Sequence, residues 1–156
     1  MLDAQDLAEQ ARVNRALVND FEHGRAPGDF HHADHVRVAF AYISVFPILE
    51  AIARFSADLK RLALSKGKPH LYHETITWAY LLLIRQRVAH VDTPPTWEEF
   101  VERNPDLLVW SGGVIERYYL PETLKSDFAR RTFVLPDAWR QGADSPVRNT
   151  SVALPT

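Results

Sequence analysis

The sequence predicts an all-α fold: an irregular four-helix bundle with one or two short additional helices. Four long segments carry apolar residues every three or four positions, which is the spacing of a buried helix face. Glycine and proline residues stand between these segments and mark their ends. No pair of segments shows the alternation of apolar and polar residues that is typical of half-buried strands. Helices of this kind bury their apolar faces against one another around a single core.

The first two helices are predicted on either side of a short turn. The first runs over residues 3–23 and ends at Gly24. Residues 25–29 read RAPGD, a turn sequence in which Asp29 is a candidate cap for the second helix, residues 31–46. The apolar face of the first helix contains Leu7, Ala11, Leu17 and Phe21, and one face of the second contains His32, His35, Ala39, Tyr42 and Phe46.

The third and fourth helices follow after a proline and a glycine. Pro47 suits the first turn of a helix over residues 47–66, and Gly67 suits its end. The fourth helix is predicted over about residues 72–90, until the DTPP sequence breaks the chain. The inward face of the third contains Ile48, Ile52, Phe55, Leu59 and Leu62, and that of the fourth contains His73, Ile76, Tyr80 and Leu83.

Shorter elements are predicted in the last third of the chain. Thr96, with Glu99 three residues on, indicates a capping box at the start of a short helix. Pro121 opens a second short helix after an irregular stretch, and residues 133–137 are predicted to be extended. The helical domain is therefore predicted to span residues 1–137, followed by a loosely ordered polar tail over residues 138–156.

Composition excludes several classes of protein. The 156 residues carry a formal net charge of −2 without a basic stripe, which argues against nucleic acid as a partner. The absence of cysteine excludes disulfides, thiolate metal sites and a cysteine nucleophile. No apolar run is long enough to span a bilayer, and the acidic N-terminus does not resemble a secretory signal. We therefore expect a cytoplasmic protein without a membrane partner.

Histidines are concentrated at the predicted starts of the second and fourth helices. His32 and His35 lie three residues apart on one helix face, and His73 lies on the apolar face of the fourth helix. Alternate helices of an antiparallel bundle begin at the same end, so the three imidazoles are expected to converge there. The positive end of a helix dipole favours neutral imidazole, the form that binds metals. We therefore predict that these three histidines ligate a divalent transition metal, for which Fe, Zn, Cu, Ni and Co are all suitable.

The same histidines also fit a polar cluster that holds no metal. Imidazoles at helix starts can bond backbone or carboxylate groups instead, and this alternative stays open. His31 belongs to the same tract but lies off the face shared by His32 and His35. We interpret it as an accessory surface histidine.

Two residues beside His73 are candidates for catalysis. Glu74 points about 100° away from His73 on the helix and is the candidate proton-transfer group. Tyr72 is the second candidate, as a group that orients the site. An ion pair with Arg37 or Lys68 would explain Glu74 without any catalytic role.

Five motifs in the chain resemble an uncharacterised family of small bacterial helical proteins. They are F-x-H-x-x-H-V-R at 30–37, Y-H-E-T at 72–75, N-P-D-L-L at 104–108, E-R-Y-Y at 116–119 and F-V-L-P-D at 133–137. The likeness covers roughly residues 21–137 and matches His32, His35 and His73, while His31 falls on a variable position. The resemblance implies a bacterial source and supports the choice of the three histidines, and it implies no particular reaction.

These observations lead to competing hypotheses of function. The first is a metal-dependent enzyme acting on a small organic molecule, in which the ion activates water or binds substrate. The second is a metal-free protein that binds a small ligand or assists another protein, with a structural histidine cluster. The third is a structural or interaction role through a helical face, with a homodimer as the expected assembly.

Overall fold

Helices form all of the regular structure in residues 2–26 and 28–142, the part of the chain that the computed structural model describes. The all-α class is confirmed, and these residues contain no strand. The α-helices in this part are α1 Ala4–Glu22, α2 His32–Val45, α3 Ile48–Ser65, α4 Glu74–Ala89, α5 Trp97–Arg103, α6 Pro121–Lys125 and α7 Asp127–Arg131. Short 3₁₀ helices occupy Pro69–Leu71, Pro105–Leu108, Val114–Arg117 and Ala138–Gly142.

The ends of the long helices agree with the predicted ends to within about two residues, which is the usual uncertainty of helix boundaries. Gly24 and Gly67 follow α1 and α3 with φ of 72° and 67°, in the left-handed region that favours glycine. The predicted cap of α2 is wrong, because His31 and not Asp29 occupies the N-cap position. The backbone N–H of His31 donates to the Asp34 carboxylate at 2.9 Å, which ties the first turn together.

The buried core is centred on α2. This helix contacts α1, α3 and α4, and its residues Ala41 and Tyr42 are fully buried. The Tyr42 ring meets Phe21 and Phe55 edge-on, with centroid separations of 6.1 and 5.3 Å. Its hydroxyl donates to the buried Asp58 carboxylate at 2.6 Å, as a buried phenol requires. Because α1, α3 and α4 pack around α2, a cavity beside α2 is also lined by side chains of these helices.

The last third of the described chain differs from the prediction in its details. The predicted capping box of α5 is confirmed, with Glu99 N–H donating to Thr96 Oγ1 at 3.1 Å. The single short helix predicted after residue 120 is instead divided by Ser126 into α6 and α7. Ser126 has extended backbone and caps α7, since its side-chain oxygen accepts from Ala129 N–H at 3.1 Å. A local hydrogen bond of this kind competes with continuation of the helix.

The predicted C-terminal tail is described only over its first residues. Ala138–Gly142 form a short 3₁₀ helix, and residues 143–156 lie outside the described residues. Within the described part, no helix combines the length and the hydropathy that crossing a bilayer demands.

Candidate functional site

A small cavity lies between α2, α3 and α4, beside the histidines of α2. Its volume is about 60 Å³ and it is open on one side, so it holds a few waters, and a ligand the size of a benzene ring would lie partly outside it. We call it the histidine pocket. A mostly apolar wall with a few polar groups is the usual form of a small-ligand site. The wall consists of His32, His35, Thr77 and Tyr80 with the apolar side chains of Val36, Ala39, Phe55, Leu59 and Ile76.

His32 is held by a backbone carbonyl and by two aromatic rings. Its Nε2 lies 2.8 Å from the carbonyl oxygen of Leu107, which can only accept, so Nε2 carries the proton and Nδ1 keeps its lone pair. The imidazole centroid lies 5.1 Å from that of Tyr80 and 5.2 Å from that of Trp110. Burial lowers the pKa of His32 below its ordinary value, and the bond to Leu107 opposes this effect. The neutral ring therefore offers one acceptor nitrogen.

His35 lies three residues further along α2 and is partly buried. Its imidazole packs on Phe30 with a centroid separation of 4.3 Å. Burial lowers the pKa of His35 to about 4; the neighbouring His32 acts in the same direction and Asp34 acts against it. No hydrogen bond to a described residue contributes to this shift. His35 is therefore neutral at pH 7, with one N–H donor and one acceptor nitrogen for a ligand.

His73 does not join the other two histidines. It caps α4, with Nδ1 accepting from Ile76 N–H at 3.3 Å and Nε2–H donating to the Leu124 carbonyl at 2.8 Å. Both ring nitrogens are occupied, and His73 is not part of the wall of the histidine pocket. His32 instead meets α4 at Tyr80, seven residues later, which is about 10 Å along a helix. The two helix starts are therefore displaced along the fold.

Thr75 adds to the connection that His73 makes between α4 and the C-terminal segment. Its side chain is fully buried. The hydroxyl shares its one proton between the carbonyl oxygens of Ala129 and Thr132, at 2.7 and 2.9 Å, and accepts from the Val134 N–H at 3.2 Å. We call His73 and Thr75 the α4 clasp. The clasp accounts for half of the Y-H-E-T motif through bonds that hold the fold together.

The other two residues of this motif lie beside Lys60 of α3. Glu74 Oε2 is 3.1 Å from Lys60 Nζ, which lies 4.9 Å from the centroid of the Tyr72 ring. The partner of Glu74 is therefore Lys60 and not Arg37 or Lys68. Burial raises the pKa of Tyr72, whose hydroxyl is buried with no partner in hydrogen-bond geometry among the described residues. The two candidate catalytic residues thus both lie beside Lys60, and neither is part of the wall of the histidine pocket.

The capacity of the site for a metal ion depends on the two histidines of α2. Residues 2–26 and 28–142 contain no group of three or more histidine, aspartate or glutamate side chains placed to hold an ion. The donors that remain are Nδ1 of His32 and the imidazole of His35, in the first turn of α2. Imidazoles three residues apart can chelate one ion and leave its other positions to water or a ligand.

Parts of the site lie outside the sequence prediction. Trp110 and the Leu107 carbonyl come from a stretch predicted to be irregular, where no periodicity indicates which way a side chain points. Tyr80 shares its predicted helix face with His73, so helical spacing was a sufficient signal for it. Thr77 had no such signal. A threonine four residues after His73 can simply donate to the His73 carbonyl within the helix, as Thr77 does, so its spacing does not indicate a pocket residue.

Comparison with known proteins supplies no relative for this chain. Family models, curated proteins and solved structures all give no significant match. The resemblance to small bacterial proteins stays a prediction. The assignment of the site therefore rests on its geometry.

Proposed function

We propose that the protein binds a small organic molecule in the histidine pocket without a metal ion. The observation that carries the proposal is that His35, neutral at pH 7, lines a mostly apolar cavity and has no hydrogen-bond partner of its own among the described residues. A neutral imidazole both donates and accepts, so a fitting ligand has an apolar body and one hydroxyl or amide group. The apolar wall supplies buried area, and the imidazole determines the orientation of the ligand.

Binding of phenol and of benzene tests this proposal. We expect phenol to bind more tightly than benzene, because only phenol can bond to the imidazole of His35. The variant His35→Leu replaces the imidazole with an apolar side chain and should weaken phenol binding by about ten-fold, the effect of one lost hydrogen bond. The measurement is the chemical-shift change of the methyl groups of Val36, Leu59 and Ile76 during titration.

The matched control for this titration is His31→Leu. His31 is exposed, belongs to the same tract and is not part of the pocket wall. It should bind phenol like the natural protein. Equal affinity for phenol in the natural protein and in His35→Leu, or no shift at the pocket methyl groups, would contradict the proposal.

A second candidate is a metal-dependent enzyme acting on a small organic molecule in the same pocket. It is favoured by the lone pair on His32 Nδ1, in the same turn of α2 as His35. A divalent Fe, Zn, Cu, Ni or Co ion would be held by these two histidines, and by His73 only if that ring gave up both of its hydrogen bonds. In this candidate Glu74 is the proton-transfer group and Tyr72 is the second catalytic residue.

Titration of untagged protein with Co²⁺ at pH 7.5 separates the two candidates. On the metal-free proposal we expect no saturable visible absorption. If the enzyme candidate is right, absorption would saturate at about one equivalent of Co²⁺. It would disappear below about pH 6, where ordinary imidazoles protonate. It would also be lost in His32→Ala and His35→Ala. The control His73→Asn keeps a side-chain acceptor at the cap and loses binding only if His73 is a ligand.

The arrangement of the helices, the partners, the location and the assembly are also part of the proposal. The contacts of α2 with α1, α3 and α4, and of α3 with α4, support an irregular four-helix bundle. Small molecules, and not nucleic acid or membrane, are the proposed partners of a cytoplasmic bacterial protein. A homodimer is the proposed assembly.

A further inference from the structure

We propose a second binding site, for a small carboxylate with an apolar tail, in a groove bounded by α1, α2, α4 and residues 94–95. The groove has a volume of about 440 Å³. It shares no wall residue with the histidine pocket, so it goes beyond the proposed function and does not depend on it. We call it the arginine groove.

The charge of the groove comes from one arginine of α1 and one of α4. Arg15 and Arg85 both line it, and no aspartate or glutamate does. Neither guanidinium has a carboxylate within 4.0 Å in the described part of the chain. The whole protein carries more acidic than basic residues. A wall with two cations and no anion is therefore a local exception that favours a negatively charged ligand.

The floor of the groove is apolar. It is lined by Phe40 and Ile43 of α2, which are only 1% and 5% exposed, together with Val88 of α4 and Leu7 of α1. An inorganic anion would gain nothing from such a floor, whereas an alkyl chain would bury area against it. The combination of cations at the wall and hydrocarbon at the floor fits an amphiphilic organic acid.

Two amide side chains give the groove further polar positions. Asn14 is 3% exposed, and its Oδ1 accepts from Arg37 at 3.1 Å, which leaves its NH₂ group to the groove. Gln10 donates through Nε2 to the Pro95 carbonyl at 2.5 Å, and its Oε1 is buried without a partner among the described residues. Buried acceptors are rarely left unbonded, so a water is expected at Gln10.

Calorimetric titration with octanoate, 1-octanol and acetate tests the proposal on the full chain. Octanoate is expected to bind, whereas octanol lacks the charge and acetate lacks the tail, so both should bind at least about ten-fold more weakly. Arg15→Gln and Arg85→Gln should each weaken octanoate binding by about ten-fold, and added salt should weaken it in the natural protein. The melting temperature of each variant is measured beside the titration, to check that the variant stays folded.

Two control variants distinguish binding in the arginine groove from binding at other cations and in the histidine pocket. Arg12→Gln removes an exposed cation of α1 that pairs with Glu9 at 2.6 Å and does not line the groove, so it should bind octanoate normally. His35→Leu should also bind octanoate normally, whatever it does to phenol. Loss of octanoate binding in His35→Leu, with no effect of the Arg15 and Arg85 changes, would overturn the proposal.

Three further results would contradict the proposal of a carboxylate site in the arginine groove. Equal binding of octanol and octanoate would show that the charge has no role, and equal binding of acetate would show that the apolar floor has none. Sedimentation of the protein with phosphatidylglycerol vesicles, in the absence of octanoate binding, would assign the arginines to lipid headgroups. Each of these results overturns the proposal.

Discussion

Replacing Thr75 with valine is expected to lower the free energy of unfolding by about 2–4 kcal/mol. Valine has nearly the shape of threonine, so the effect reports the hydroxyl and not a cavity. Without it, the carbonyls of Ala129 and Thr132 and the amide of Val134 lose a buried partner. The measurement is urea denaturation, together with hydrogen exchange at the Val134 amide, which should become faster.

The matched control is Thr75→Ser, which keeps the hydroxyl and removes only a methyl group. It should cost about 1 kcal/mol and leave the Val134 amide protected. If valine and serine destabilise the protein equally, packing of the methyl group and not the α4 clasp is the main contribution of Thr75. That result would also remove the structural explanation of the Y-H-E-T motif.

The free energy of unfolding of this protein is expected to fall on acidification, and replacing His35 with glutamine is expected to make this fall much smaller. In the natural protein, the pKa of His35 is about 4 when folded, against an ordinary value of 6.5. Above pH 6.5 neither state is protonated at His35 and stability is at its full value. As the pH falls toward 4, the unfolded chain takes up a proton that the folded ring refuses, so stability decreases by about 3 kcal/mol.

Denaturation curves at pH 7 and pH 4.5 test this prediction. Glutamine does not titrate, so the difference between the two curves should shrink in His35→Gln, whatever the variant does to stability at pH 7. Burial also lowers the pKa of His32 and His73, and their share of the acid effect should persist. His31→Gln is the control and should keep the natural pH dependence. An unchanged pH dependence in His35→Gln would show that the imidazole is not buried as described.

The helices of this protein could be predicted because their signals are local. Periodicity located the four long helices, and Gly24, Gly67 and Thr96 act through backbone angles or hydrogen bonds within a few residues. The division between α6 and α7 is also local, but Ser126 is compatible with either a helix interior or a cap. Its role depends on which backbone amide it bonds, and that is not evident from residue types.

The candidate site was less predictable because it depends on the displacement of one helix along another. The sequence argument placed His32 beside His73, whereas His32 meets Tyr80. Nothing in a helical pattern sets this displacement, which results from the packing of side chains from distant segments. The bond of His73 to Leu124, across 51 residues, is equally invisible in the sequence. The imidazole for which residue type and helix face predict a metal ligand thus makes hydrogen bonds that cap α4 and join it to the C-terminal segment.

The α4 clasp holds main-chain atoms, and this has an evolutionary consequence. Leu124, Ala129 and Thr132 contribute only their carbonyl oxygens to it, so these bonds do not depend on the chemistry of the three side chains, provided that the fully buried Ala129 stays small. His73 and Thr75 have no such freedom. Divergent relatives of this protein would therefore vary along the C-terminal segment while keeping a histidine and a threonine two residues apart where α4 begins. Such a pair would be a marker of shared architecture, and would persist even among proteins that bind different molecules.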